Sequence, residues 1–157
     1  MKAHRRPIVV IAGLVALILA LGSGAASVSA SEKNKRNRQL HVTKDCLAYT
    51  GLAGSFCLIT SSNLPEIKVG SKVLYDQAAG TPAGMLDSNV VLDAGNGDRA
   101  VGRCTLDLVT GLGLCTFSDG TGSLAGFHAR VDVSALGGRQ WAWDGTYRFR
   151  SEHDRDR

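Results

Sequence analysis

Short runs of alternating apolar and polar residues, separated by glycine-rich turns, fill the chain from residue 56 to residue 150. These strand-like runs are 56–60, 67–75, 89–94, 100–109, 114–118, 124–134 and 140–150. No window of helical period longer than two turns occurs after residue 30. Strands at this spacing, with turns between them, predict an all-β sandwich or barrel.

The last two runs indicate which faces pack. In run 140–150, four aromatic residues stand in one row and polar residues stand in the other. In run 124–134, Phe127 begins an equally apolar row. Because each buried aromatic side chain removes roughly 150–250 Å² from water, the aromatic face must be buried or must line a cavity. The candidate cavity residues are Tyr75, Phe117, Phe127, Trp141, Trp143, Tyr147 and Phe149.

Polar side chains offer few candidates for chemistry. His128, Arg130 and Asp132 form a row that could supply a proton donor, a cation and an acid to a ligand. The opposite row is apolar, so this polar row is expected to be the solvated outer face. Tyr75 and Asp76 point to opposite faces, and Tyr75 is the predicted lumen hydroxyl. No paired carboxylates, Ser/His/Asp set or phosphate loop is present, and no catalytic residue is assigned.

The first 30 residues have the three parts of a secretory signal. Lys2, Arg5 and Arg6 form a basic region, residues 8–21 are apolar, and residues 28–30 end in a small-x-small cleavage site. An uncleaved membrane anchor is the alternative, since small and apolar residues continue to residue 26. Cleavage is favoured, so we expect a secreted, extracellular protein with no stable membrane association after the signal is removed.

Charge is concentrated before the predicted strands. The chain carries a net charge of +4, and loss of the signal leaves 15 basic against 14 acidic residues, a net of +1. Segment 31–45 has five basic and two acidic residues, so the remainder is about −2. We therefore predict a disordered basic leader at 31–45 and a β-barrel domain at 46–157. Nucleic-acid binding is not expected; a weak contact of the leader with anionic cell-surface polymer is an alternative.

The four cysteines are expected to form disulfides, because all lie in the exported part of the chain. Cys46 and Cys57 are separated by 11 positions, as are Cys104 and Cys115, and these two local pairs are favoured among three connectivities. A two-residue turn after residue 109 would place Cys104 and Cys115 diagonally, so a bulge would be needed to join them. A zinc site is not expected, since no CxxC pair occurs and the histidines are scattered.

Several short motifs resemble one known superfamily. Residues 119–126, DGTGSLAG, resemble the Gly-Thr-Gly turn and following strand of the allene oxide cyclase and dirigent proteins. Residues 74–76 (LYD), 102–104 (GRC) and 143–149 (WDGTYRF) resemble further pieces of the cyclases and their closing strand. The likeness covers about residues 67–150 and is strongest to exported bacterial proteins with an allene oxide cyclase barrel-like domain. It implies a single antiparallel eight-stranded barrel.

Two classes of function use the interior of such a barrel, and a third, structural option is a filled interior with the function on the outer surface. The favoured hypothesis is a binding module that encloses a small apolar ligand in the lumen. The alternative, implied by the resemblance, is an isomerase or a dirigent-like stereochemical guide that uses the same cavity. No cofactor is expected from either, and the sequence leaves the oligomeric state open.

Overall fold

A computed structural model describes residues 37–150 of the chain. They form eight β-strands and one 3₁₀ turn. The strands are β1 (Arg38–Asp45), β2 (Phe56–Ser62), β3 (Lys72–Tyr75), β4 (Met85–Asp93), β5 (Arg99–Asp107), β6 (Leu112–Thr121), β7 (Phe127–Gly137) and β8 (Gln140–Phe149), with the 3₁₀ turn η1 (Gly122–Leu124) between β6 and β7. Within these residues, none of the helical structure has the length and apolarity needed to cross a membrane.

Each strand pairs antiparallel with the next, and β1 pairs with β8 to close a barrel in chain order. The β1–β8 seam runs from Arg38 opposite Tyr147 to Asp45 opposite Gln140. Alternate residues of every strand point inward and form one core, whose fully buried members include Leu40, Ile59, Val73, Leu92 and Val131. The predicted antiparallel eight-stranded barrel is therefore confirmed.

The first strand corrects the predicted domain boundary. Composition predicts a disordered leader that includes residues 38–45, but these residues form β1, which lies between β2 and β8. In β1, alternate residues point inward: Leu40, Val42 and Lys44. Because one of the three is a lysine, the row is not continuously apolar, and a hydropathy pattern does not indicate a strand. The predicted signal at 1–30, the leader at 31–36 and the tail at 151–157 lie outside the described residues.

The turn after β6 also differs from the prediction. The DGTG sequence at 119–122 predicts a turn, but β6 continues through it to Thr121, and η1 follows. The Asp98 side chain accepts a hydrogen bond from the Ser123 N–H at 2.9 Å. This contact ties η1 to the turn between β4 and β5, so the glycine-rich motif closes one end of the barrel.

Glycines in the wall let neighbouring strands approach closely. A Cβ added to Gly145 would lie 2.1 Å from the Arg130 carbonyl oxygen of the adjacent strand. A Cβ on Gly102 would lie equally close to the Thr116 carbonyl oxygen and 2.8 Å from the Phe117 ring. Side chains at these positions would therefore push the strands apart, as is expected for glycine at sharply coiled points of a barrel.

Both favoured disulfides are present, Cys46–Cys57 and Cys104–Cys115. The predicted diagonal placement of the second pair is wrong, because Cys104 lies directly opposite Cys115. A four-residue turn at 108–111, instead of the assumed two-residue turn, shifts the register. The Asp107 carboxylate accepts hydrogen bonds from the backbone N–H groups of Val109 and Thr110, and Gly111 takes the positive φ of 70° that ends the turn.

The barrel has two chemically different ends. We call the end formed by the loops after β1, β3, β5 and β7 the Lys44 end, and the opposite end the Phe149 end. Backbone hydrogen bonds join the loops of the Lys44 end into a ring. The N–H groups of Cys46, Ala79, Leu108 and Ala135 donate to the carbonyl oxygens of Arg139, Gly51, Gly84 and Gly111, respectively. This ring fixes the positions of the side chains around the opening.

Candidate functional site

The Phe149 end is filled by aromatic side chains. Phe127 is fully buried and lies against Phe149 at 5.5 Å and Tyr147 at 6.2 Å between ring centroids. Phe117 joins this cluster to Trp143, with ring centroids 5.3 Å apart. Tilted pairs at such distances are favourable aromatic contacts. Packed rings therefore occupy this half of the lumen.

The Lys44 end contains a charged residue inside the barrel. Lys44 follows Leu40 and Val42 in the inward row of β1 and is only 1% exposed. Its Nζ donates a hydrogen bond to the Tyr75 hydroxyl at 2.6 Å and lies 4.6 Å from the centre of the Trp143 ring. The amine thus has one hydrogen-bond acceptor and an aromatic face in place of water.

Burial changes the acid–base properties of this pair. Loss of hydration lowers the pKa of Lys44 from 10.5 to about 7, because the protonated amine loses more solvation than the neutral one. Burial also raises the pKa of Tyr75, and the nearby Tyr49 raises it further. At neutral pH the site therefore holds a tyrosine that keeps its proton and a lysine that is a free amine in a large fraction of molecules.

A pocket of about 30 Å³ opens beside Lys44. It is almost wholly apolar apart from the lysine and two tyrosines. We call it the Lys44 pocket; it is lined by Lys44, Cys46, Tyr49, Cys57, Tyr75, Leu86, Leu106, Leu108 and Trp141. This volume suffices for one or two water molecules.

One polar atom in the Lys44 pocket is unpaired. The Tyr49 hydroxyl is buried and has no hydrogen-bond partner among residues 37–150, while its ring meets that of Tyr75 edge-on at 5.2 Å. A buried hydroxyl without a partner is costly and calls for an explanation. A polar group of a bound molecule in the pocket would supply the missing partner.

Exposed apolar side chains are concentrated at the Lys44 end of the barrel. Nine large apolar residues are exposed in the described chain, and six of them lie in or beside the loops of the Lys44 end. We call these six the apolar rim; they are Leu47, Leu52, Leu108, Val109, Leu112 and Leu136. A concentration of exposed apolar residues around one opening is typical of a binding surface.

Wider grooves occur elsewhere on the surface, but none of those described has a buried amine in its lining. Three open surface grooves have volumes of about 300, 360 and 420 Å³. The two larger grooves are lined by strand faces and turns with ordinary surface groups such as Lys68 and Arg103. The smallest also includes the buried residues Phe117 and Tyr147 in its wall. The Lys44 pocket is smaller, yet it alone among these sites has a fully buried amine, so it is the stronger candidate.

The predicted cavity residues separate into two groups. Tyr75 and Trp141 line the Lys44 pocket, and Tyr75 points into the lumen as expected. The other five do not line the pocket but pack on one another; they are Phe117, Phe127, Trp143, Tyr147 and Phe149. Among them, Trp143 also contacts the Lys44 amine.

The polar candidates of β7 lie on its outward row. Arg130 and Asp132 are exposed and His128 is partly exposed. Within residues 37–150, no group of three or more His, Cys, Asp or Glu side chains is arranged to hold a metal ion. These residues therefore form a solvated surface and make no contact with the Lys44 pocket.

Two site residues were missed from the sequence, Lys44 and Tyr49. Lys44 was counted with the basic leader, although its place two positions after Val42 in the same row was the available signal. Tyr49 lies in the glycine-rich loop after β1, where no strand pattern gives a direction to the side chain.

The arrangement can hold a hydrogen-bond acceptor against Lys44 and Tyr49 and an apolar group against Leu106 and Trp141. Comparison of the chain with models of protein families, with curated proteins and with solved structures finds no match. The site's own geometry therefore has to carry the functional interpretation.

Proposed function

We propose that the protein binds a small apolar ligand with an oxygen acceptor group in the Lys44 pocket. The observation that carries this proposal is that an otherwise apolar pocket is lined by Lys44, whose amine is buried, and by Tyr49, whose buried hydroxyl is unpaired. Small-molecule sites typically combine an apolar lining with a few convergent polar groups. The apolar rim gives the ligand a surface on which to arrive.

The ligand's acceptor group would lie between Nζ and the Tyr49 hydroxyl. Its hydrocarbon part would extend past Leu108 and Trp141 toward the rim. The pocket of about 30 Å³ is too small for more than a short group, so a longer ligand must displace the outer side chains. Leu108 is 39% exposed and Trp141 is only partly buried, so both can move without opening the core.

A second candidate is catalysis in the same pocket, as an isomerase or stereochemical guide. A lysine with a pKa of about 7 can take up and release a proton near neutral pH, which is the requirement for a general base. The Tyr75 hydroxyl at 2.6 Å would orient the amine. Binding is the more economical proposal, because it needs only the contacts already described.

We also propose a superfamily for the protein and its secretion from the cell. The closed eight-stranded barrel is the fold that the motifs shared with the allene oxide cyclase and dirigent superfamily imply, and we propose membership on those motifs. Two disulfides in so small a domain support secretion, since such bonds persist in oxidising compartments.

Titration with a series of short alcohols, from 1-butanol to 1-octanol, tests the binding. The chain has two tryptophans, so the indole N–H signal of Trp141 can be followed by nuclear magnetic resonance. We expect a saturable shift of that signal. Absence of saturable binding by every alcohol in the series would contradict the proposal.

A matched pair of variants locates the site. Leu108→Trp places a large side chain in the pocket wall, and Val69→Trp places it at the Phe149 end, on a residue between β2 and β3 that is 70% exposed and lies outside both the lining and the apolar rim. We expect the first variant to weaken binding by about tenfold or more and the second to bind like the unmodified protein. Equal effects of the two substitutions would place the ligand elsewhere.

A further inference from the structure

We propose that Lys44 forms an imine with a small apolar aldehyde or ketone held in the Lys44 pocket. This inference rests on the ligand binding proposed above and names the ligand's chemical class. It assigns Lys44 as a nucleophile, a role beyond that of a hydrogen-bond donor.

The surroundings of Nζ favour the free amine. Among the described residues that line the pocket, the titratable side chains besides Lys44 are the two tyrosines Tyr49 and Tyr75, and no carboxylate faces the amine. Neighbouring strands contribute Ile59 opposite Lys44 in β2 and Trp143 in β8. Desolvation without a counter-ion keeps a large fraction of the amine unprotonated near pH 7, which is how buried lysines become nucleophilic.

The reaction needs no oxidant, reductant or metal. The Nζ lone pair attacks the carbonyl carbon, a C–N bond forms, and the π electron pair moves to oxygen. One N–H proton passes to that oxygen to give a carbinolamine. The C–O bond then breaks, the hydroxyl leaves as water with the second N–H proton, and a C=N bond forms.

The pocket's polar atoms and rings suit each stage. The Tyr75 hydroxyl, 2.6 Å from Nζ, and the unpaired Tyr49 hydroxyl can hydrogen-bond to the carbonyl oxygen as it gains charge. A protonated imine would stand over the Trp143 ring, whose centre is 4.6 Å from Nζ, and over the Tyr75 ring at 5.4 Å. Aromatic faces stabilise such cations by a cation–π interaction.

A second lysine of the barrel provides the internal control. The Lys72 Nζ also lies over an aromatic ring, that of Phe56, at 5.0 Å. Lys72 is exposed, however, and does not line the Lys44 pocket. Because both amines contact an aromatic ring, faster reaction at Lys44 than at Lys72 would be caused by burial in the pocket and not by the ring.

The test is reductive trapping with butanal and cyanoborohydride at pH 7, followed by peptide mapping of the intact, disulfide-bonded protein. We expect one dominant adduct at Lys44, formed roughly tenfold faster than at Lys72, and a labelling rate that rises with a midpoint near pH 7. Lys44→Arg should abolish this adduct, and Lys72→Arg should leave it unchanged. Tyr75→Phe should slow trapping while the Lys44 adduct remains detectable, which keeps the proposal testable if Lys44→Arg does not fold.

Parallel titration with 1-butanol separates this inference from the proposed function. Saturable alcohol binding together with equal, slow labelling of all lysines would overturn the imine and leave ligand binding intact. Failure of both measurements would overturn both proposals. Fast labelling at Lys44 with alcohol competition supports both.

Discussion

The two ends of the barrel have opposite arrangements of polar and apolar groups. At the Phe149 end, rings such as Phe127 fill the lumen, and the strand ends carry charges, among them an ion pair of Arg99 with Asp93 at 3.3 Å. At the Lys44 end, the lumen holds a buried amine and two tyrosine hydroxyls, while apolar side chains stand outside as the rim.

The difference indicates that the ends serve different purposes. Aromatic packing at the Phe149 end contributes stability, because it buries large apolar surfaces in close contact. A desolvated lysine and an unpaired hydroxyl lower the stability of the fold, since each costs free energy in the absence of a ligand. A fold that keeps such groups at one end is expected to use them there.

The largest contrast should come from truncating one side chain at each end. Phe127→Ala removes a fully buried ring that touches three other aromatic residues and should lower the free energy of unfolding by about 3–5 kcal/mol. Leu108→Ala at the Lys44 end should cost less than about 1 kcal/mol, because that side chain is already 39% exposed. Urea unfolding measures both, and equal losses would remove the distinction between the ends.

Lys44 should make stability depend on pH in a particular direction. Its pKa is about 7 in the folded protein against 10.5 for the ordinary side chain. Below pH 7 the lysine is protonated in both the folded and the unfolded protein. The full free-energy cost of burying the charged amine then lowers the stability of the fold. Between pH 7 and 10.5 only the unfolded chain is protonated, so the free energy of unfolding rises with pH.

Lys44→Met should remove that dependence. The difference in unfolding free energy between the variant and the unmodified protein should change by about 4 kcal/mol from pH 6 to pH 10. Lys72→Met, at an exposed position, is the control and should leave the pH profile unaltered. Parallel profiles for the unmodified protein and Lys44→Met would show that Lys44 is charged and hydrated in the fold.

The smallest expected effect concerns the two tyrosines of the pocket. Tyr49→Phe removes a buried hydroxyl that has no partner in the described chain and should raise the free energy of unfolding by about 1 kcal/mol. Tyr75→Phe removes the acceptor of the Lys44 hydrogen bond and should lower it by about 1–3 kcal/mol. Thermal unfolding of both variants at pH 7 checks the opposite signs, and a loss of stability in both would mean that Tyr49 is already paired.

Sequence reasoning predicted the wall of the barrel better than its ends. Strict alternation placed Trp143, Tyr147 and Phe127 on the packed face, and equal spacing predicted both disulfides. The same reasoning missed β1, since an inward lysine breaks the apolar row. Hydropathy cannot distinguish an enclosed lysine from a solvated one; only the closure of β1 against β8 puts Lys44 inside.

The pocket depended on features that a pattern does not contain. Tyr49 reaches it from a loop, and the direction of its side chain follows from the ring of backbone contacts at the Lys44 end. The turn at 108–111 sets which cysteine faces which, and its length was assumed to be two residues instead of four. The position of the pocket therefore depends on loop lengths and on closure of the barrel, whereas the strand pattern was enough to predict the fold.

The most direct measurement is the titration of Lys44 itself. Nuclear magnetic resonance of the protein with ¹³C-labelled lysine ε-carbons follows each amine separately, and Lys44→Arg assigns its signal. We predict that one lysine titrates with a midpoint near pH 7 and that its signal shifts when an alcohol occupies the pocket. Titration of every lysine near pH 10.5 would contradict a buried, reactive amine at the Lys44 end.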